Sequence, residues 1–194
     1  MYERTDRVIE YLNKQLIALF YRAKLIVDFD ELNVIQFSKS LYEEIDKIVK
    51  EAYLALAEAT ANDIMDDADE EITMIWLLER LREYDKVTKY VYENEFERKR
   101  QKFAEALISS DNKNEEIDKA LRSMSKMVSQ FAIEITDSAL IVGYKALGVE
   151  KVMWVTERDT KVCDHCKKLD GKVFSIDNIP PKVHWNCRCY VIPV

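Results

Sequence analysis

The residues of this chain that could bind a metal or carry out thiol chemistry lie close together near its carboxyl end. All four cysteines and both histidines of the 194-residue sequence fall between positions 163 and 189. They are arranged as Cys163-x2-Cys166, a spacer of 17 residues, and His184-x2-Cys187-x-Cys189. Two thiolates separated by two residues in a turn can share one zinc ion, and a tetrahedral site then needs two further ligands. The spacing therefore predicts a structural Zn²⁺ site.

The second half of the motif offers three candidates for those two positions. Side chains alternate along an extended segment, so Cys187 and Cys189 would point to the same side. Four thiolates with His184 outside the ligand set are one solution, and His184 with one of these cysteines is the other. We expect His165, inside the first pair, to be a solvated turn residue. The expected ligands are therefore Cys163, Cys166, Cys187 and either His184 or Cys189.

Other uses of the same residues are less consistent with the sequence. The charged start of the chain, Met1 to Asp6, lacks the apolar run of a signal peptide, so we expect a cytosolic protein whose thiols stay reduced and form no disulfide framework. Redox catalysis by Cys163 and Cys166 would require a βαβ pattern around the pair, and none is visible. Nucleophilic catalysis by a Cys-His pair would need a cleft and an orienting acid. We therefore predict a structural metal and no enzymatic activity.

The elements that position this cluster can be inferred from the residues that break regular structure. The sequence has three glycines and three prolines, and none of them occurs before Gly143. Strand-rich folds need turns about every 8 to 12 residues, usually made with Gly and Pro. We therefore predict a mainly α fold, with elongated or bundled amphipathic helices over residues 1–150.

Apolar stripes at helical spacing support this prediction. The stripes expected on separate helices begin at Val8, Val34, Ile72 and Ile117, and the longest runs through Val34, Phe37, Leu41, Ile45, Ile48, Ala52 and Leu56. Breaks are expected near residues 28–30 and at residues 109–112. We expect the acidic cluster of residues 66–71 to belong to the first turn of the helix carrying Ile72, where carboxylates complement the helix dipole. The basic run from Arg98 to Lys102 alternates with acids and is expected to form a solvated helix face.

The character of the sequence changes at Lys151. Three short segments rich in β-branched and aromatic residues, 152–156, 172–176 and 189–192, predict antiparallel strands. Three short strands in 44 residues bury too little to be stable alone, so we expect zinc to staple them. The sequence thus predicts a helical body (1–150) and a small zinc-knuckle-like α+β module (151–194).

Charge is distributed unevenly between these two parts. The formal net charge is −7, of which residues 1–150 carry −10 and residues 151–194 carry +3. An acidic body argues against wrapping duplex DNA, because such binding needs clustered Lys and Arg. The apolar runs are far shorter than the roughly 20 residues that cross a bilayer, so we expect no membrane partner.

The carboxyl-terminal motif resembles that of a known family. Its residues are Trp154-x4-Asp159-x3-Cys163-x2-Cys166-x2-Leu169-x-Gly171-x-Val173-Phe174, then Pro180-Pro181-x2-His184-x2-Cys187-Arg188-Cys189 and Pro193. This spacing resembles the signature of the bacteriophage Mu protein F-like minor head proteins, also called minor capsid or head morphogenesis proteins. The chain departs from many relatives at residues 129–132, where Ser-Gln-Phe-Ala replaces a segment that often contains Arg-Thr-Glu.

The resemblance implies a phage or prophage protein of the virion head, assembled in the bacterial cytoplasm and needed for head assembly or DNA delivery. The implied partners are the portal and other head proteins, and phage DNA and a second copy of the chain are further candidates. Five residues follow Cys189, so we expect no toxin-like domain of the kind found in larger relatives. We further expect Trp154 and Trp185 to pack over the metal, with partner binding as the alternative role, and Asp159 and Arg188 to brace the turns.

A second functional hypothesis stays open from the sequence alone. The basic tail and its aromatic residues Trp154, Phe174 and Trp185 could form a zinc module that contacts DNA. It predicts salt-dependent DNA binding, whereas the head-protein hypothesis predicts co-purification with the portal.

Overall fold

The computed structural model describes residues 2–27, 33–65, 86–157 and 162–194. Within these ranges the elements are the long helices α1 (Glu3–Ile26), α2 (Val34–Met65), α3 (Lys86–Ser109) and α4 (Lys113–Ala146), then β1 (Lys151–Val155), the short helix α5 (Asp164–Leu169), β2 (Val173–Ser175) and β3 (Tyr190–Pro193). The prediction of a mainly helical chain that ends in short antiparallel strands is confirmed. The helix expected around Ile72, the acidic cluster of residues 66–71, the break at residues 28–30 and Asp159 lie outside the described residues.

The chain divides into two compact units. One, here called the helical unit, consists of Glu3–Ala55 and Lys86–Ala132. The other, here called the carboxyl-terminal unit, consists of Met1–Tyr2, Leu56–Asp85 and Ile133–Val194. The domain boundary that the sequence predicts at residue 150, between the helical body and the carboxyl-terminal module, stays a prediction. No helix in the described ranges has the length and apolar character needed to cross a membrane.

Aromatic side chains pack at the centre of the helical unit. The ring of Tyr42 lies 5.3 Å from that of Phe96 and 5.8 Å from that of Phe103, measured between centroids. Tyr92 meets Phe131 edge to face at 5.2 Å. The stripes predicted on α1, α2 and α4 supply the buried aliphatic side chains, among them Leu12, Leu16, Leu41, Ile45, Ile117 and Val128.

The carboxyl-terminal unit contains an antiparallel sheet in the order β2-β1-β3. In the central strand Val152 is paired with Phe174 of β2 and with Pro193 of β3. The chain enters this strand directly from α4. That helix ends at Ala146 and is followed by Gly148, whose φ of +73° suits a residue without a side chain. The Val149 N–H closes the last turn on the Tyr144 carbonyl at 3.0 Å. The helix end and the sheet thus form one continuous framework.

Candidate metal centre

The first pair of cysteines is positioned by the start of α5. Cys163 caps this helix from an extended backbone conformation, and its Sγ accepts a hydrogen bond from the Cys166 N–H at 3.4 Å. The Cys166 side chain lies one helical turn further on and is fully buried. The Cys166 N–H lowers the pKa of Cys163, and the Cys166 side chain and the charge of the nearby His184 ring lower it further. The cap therefore favours a thiolate at Cys163, the form that binds metals.

The second group of thiols reaches Cys166 from the segment leading into β3. Cys187 and Cys189 are both buried, and the Sγ atoms of Cys166 and Cys187 are 3.6 Å apart. This distance exceeds the roughly 2.05 Å of a disulfide and approaches the roughly 3.8 Å between two sulfurs of a tetrahedron with Zn–S bonds of about 2.3 Å. The Sγ atoms of Cys166, Cys187 and Cys189 lie within 4.8 Å of one another.

His184 contributes a nitrogen donor to the cluster. Its ring, Cys163 and Cys166 form a second group whose donor atoms lie within 4.8 Å of one another. The ring Nδ1 is 3.1 Å from the Trp185 carbonyl oxygen, whereas the buried Nε2 has no hydrogen-bond partner. A metal-binding histidine usually holds its second nitrogen in this way, because a donated Nδ1–H fixes the lone pair on Nε2. The orientation of His184 therefore suits coordination through Nε2.

The two groups share Cys166, so the structure brings together all five side chains that the sequence identified as metal ligand candidates. The described residues thus place five donors around a site that needs four. His165 is exposed and belongs to neither group.

Burial shapes the electrostatics of this cluster. It raises the pKa of Cys166, an effect reinforced by the thiols of Cys163, Cys189 and Cys187, and it raises the pKa of Cys189 to about 11. Several thiolates cannot coexist so close together in a poorly solvated site unless a cation compensates their charge. Thiolate and imidazole donors suit a soft or borderline cation such as Zn²⁺. The donor set therefore fits the metal that the sequence predicted.

A polar network that the sequence analysis missed supports the second pair of cysteines. The Tyr2 hydroxyl donates to Asp137 Oδ1 at 2.6 Å and lies 3.2 Å from the Cys189 carbonyl oxygen. Lys182 Nζ forms an ion pair with Asp137 and donates to the Tyr2 hydroxyl at 2.9 Å and to the Cys187 carbonyl at 3.1 Å. The carbonyls of two candidate ligands are thus tied to helix α4.

One signal for this network was present in the sequence. Asp137 occupies a helical face otherwise formed by Ile133, Leu140 and Tyr144, all of which are buried. A carboxylate in such a position requires a cation or a hydrogen-bond donor. Those partners could not be identified from the sequence, because Tyr2 lies 135 residues away and Lys182 lies 45 residues away.

The two tryptophans of the motif have different environments. Trp154 is 2% exposed and packs in one buried cluster with Cys166, Cys187 and Cys189, as expected. The expectation that Trp185 also packs over the site is wrong, because its side chain is 61% exposed. It occupies a turn that continues through Asn186, with φ of +56°, and this turn directs His184 inward and Trp185 outward. The Arg188 guanidinium lies 5.3 Å from the ring centre of Tyr2, in a cation–π contact.

Fold and site together define a class: a helical protein with a small Cys/His-rich carboxyl-terminal module. Residues 99–192 match the family described as Phage Mu protein F like protein, which confirms the resemblance noted in the sequence. The matched segment runs from the second half of α3 into β3 and includes all five candidate ligands. The family is associated with phage head morphogenesis. No match was found among curated proteins or among solved structures.

Proposed function

We propose that this protein is a minor head protein of a phage or prophage, a structural and assembly factor that acts at the portal and becomes part of the virion. The observation that carries the proposal is the family match over residues 99–192. The chemistry of the candidate site agrees with a structural role, because four protein ligands would leave a zinc ion no open position for substrate. We propose that the protein acts during DNA packaging or DNA ejection.

The metal in this proposal is zinc, held by Cys163, Cys166, Cys187 and the Nε2 atom of His184. One observation favours His184 over Cys189 as the fourth ligand. The Nε2 atom of His184 is buried without a hydrogen-bond partner, in a ring whose donor nitrogen lies within 4.8 Å of the donor atoms of Cys163 and Cys166. Cys189 would then remain a buried thiol beside the site.

The role of the metal in this proposal is to orient a contact surface for another head protein. Trp185 and Val183 are 61% and 55% exposed, and they flank His184. Exposed tryptophan is enriched among residues that dominate binding energy at interfaces. Zinc coordination by His184 and Cys187 would hold this turn in one conformation, which reduces the entropy lost when a partner binds.

Co-purification with the portal protein of the same phage or prophage tests the proposal. We expect the zinc-loaded protein to retain the portal, and Trp185→Ala to weaken retention at least tenfold without changing zinc content. Tyr21→Ala is the matched control, since this residue is 64% exposed on α1, in the helical unit. Failure of the portal and of every other head protein to be retained would contradict the proposal.

The same preparation distinguishes the alternative function. Duplex DNA that is retained in a salt-dependent manner by the wild type, and lost in Trp185→Ala, would favour a nucleic-acid-binding module. Indifference to DNA together with retention of the portal would favour the head protein.

A further inference from the structure

A group of charged side chains, separate from the candidate metal centre, lines a pocket in the helical unit. The pocket has a volume of about 270 Å³ and lies between α3 and α4, beside Tyr42 of α2. Four of its lining residues are cationic, and the lining also contains two hydroxyl groups and one acid. The cations are Arg98, Lys99, Lys102 and Lys119, the hydroxyl groups belong to Tyr42 and Ser123, and the acid is Glu116.

Lys99 occupies the most unusual environment of these cations. Its ammonium group donates to the neutral Ser123 hydroxyl at 2.5 Å. Burial lowers the pKa of Lys99, and the charges of Arg98, Lys102 and Lys126 lower it further against the opposing effect of Glu95. Lys99 is therefore a partly desolvated cation among like charges, held by a neutral hydroxyl group.

The other cations of the pocket differ in how far their charge is compensated. Arg98 is paired with Glu95 at 2.6 Å, and Lys119 is paired with Glu115 and Glu116 at 2.9 and 2.8 Å. Lys102 is exposed and has no ion pair among the described residues. The pocket is therefore lined by the positive charges of the half-buried Lys99 and the exposed Lys102. This geometry differs from the uniformly solvated face expected for the run from Arg98 to Lys102.

We propose that this pocket binds a phosphate group. A tetrahedral oxyanion between Lys99, Lys102 and Ser123 would accept hydrogen bonds from two ammonium groups and one hydroxyl, which is a favourable donor set for phosphate. The Arg98 guanidinium supplies further donors at the pocket wall. The volume suits a small anion, because pockets for larger ligands occupy about 300 to 1,000 Å³. The phosphate belongs either to a free phosphate compound or to a nucleic-acid backbone, and the proposal does not depend on the role of the metal centre.

Phosphorus NMR on the full-length protein tests this site with inorganic phosphate and pyrophosphate as probes. We expect saturable binding of one anion per chain, weakened about tenfold or more in Lys99→Met and in Lys102→Met, since each loses a charge-assisted hydrogen bond. Lys47→Met is the matched control, because it removes an exposed positive charge from α2 in the same unit and should bind as the wild type does. Thermal melting of each variant confirms that it is folded.

A second arm of the experiment identifies the source of the phosphate. Displacement of inorganic phosphate by a short duplex DNA would assign the pocket to the nucleic-acid backbone, and saturation by pyrophosphate without displacement by DNA would assign it to a free phosphate compound. If Lys99→Met fails to fold, the exposed Lys102 position still gives the answer. The proposal is overturned if no probe saturates, or if Lys102→Met binds as tightly as the wild type.

Discussion

His184 and His165 lie in the same motif, yet their rings face different surroundings. The Nε2 atom of His184 is buried without a hydrogen-bond partner beside the donor atoms of Cys163 and Cys166, whereas His165 is exposed on the short helix α5. Mutating a metal ligand lowers metal affinity, whereas mutating an exposed residue outside the donor groups should not. Mutating a residue that only orients a ligand already changes metal affinity about 10 to 100-fold.

We therefore predict that His184→Ala lowers zinc affinity about 100-fold or more, while His165→Ala leaves it unchanged. Competition with a chromophoric chelator measures both variants against the wild type. Cys189→Ala completes the set, because it replaces the residue that competes with His184 for the fourth position. Tight zinc binding by His184→Ala combined with its loss in Cys189→Ala would assign the fourth position to Cys189.

Some residue environments could be predicted from the sequence and others could not. The spacing of the cysteines and histidines was sufficient to identify the five side chains that the fold brings together, because ligand geometry constrains spacing directly. The exposure of Trp185 was not predictable, since it depends on the positive φ of Asn186, a conformation that Asn adopts only in particular contexts. Lys99 was missed for a similar reason, because the basic run does not reveal that Ser123 of α4 lies opposite it.

At the scale of elements, periodicity accounts for most of the successful predictions. The stripe through Leu41, Ile45 and Leu56 predicted one face of α2, and these side chains are buried. The short strands were identified from β-branched and aromatic residues, and each observed bound differs from the predicted one by a single residue, which is usual for the ends of secondary-structure elements. The connection between α4 and the cysteine segment was not predictable, since it depends on the contacts of Asp137 with residues distant in the sequence.

This connection leads to a prediction about stability. The side chains of Lys182 and Asp137 are 17% and 20% exposed, so truncating one leaves the other poorly solvated and unpaired. We expect Asp137→Ala to lower the free energy of unfolding by about 2 kcal/mol, somewhat less than a fully buried pair would lose. Urea denaturation monitored by circular dichroism, with zinc saturating, measures this change.

The double variant Asp137→Leu with Lys182→Met is the control for that prediction. It replaces both charges by apolar groups of similar length, so we expect it to recover most of the lost stability. If the double variant is as unstable as Asp137→Ala, the hydrogen bonds to the Cys187 carbonyl and the Tyr2 hydroxyl contribute more than the ion pair itself.

At the scale of the whole molecule, stabilising interactions differ between the two units. The helical unit is built on stacked and edge-to-face aromatic rings, such as Tyr42 with Phe96 and Phe103, each pair contributing about 0.5 to 1.5 kcal/mol beyond its buried area. The carboxyl-terminal unit contains the small sheet of β1, β2 and β3, and its buried cluster includes three of the four cysteines. A metal bound there would stabilise the fold in proportion to its binding free energy.

Chelation should therefore affect the two units unequally. We predict that removing zinc lowers the amide-exchange protection of β1 and β3 by at least tenfold, because the thiols around Cys166 must then be neutral and lose the ion that joins them. Amides near Tyr42 and Phe103 should keep their protection, since their contacts involve no candidate ligand. Hydrogen exchange followed by mass spectrometry, with Cys163→Ser as a genetic equivalent of chelation, measures both regions in one sample. Equal loss of protection in the two regions would mean that the metal stabilises the whole chain as one cooperative unit. No loss of protection in either region would mean that the metal does not stabilise this fold.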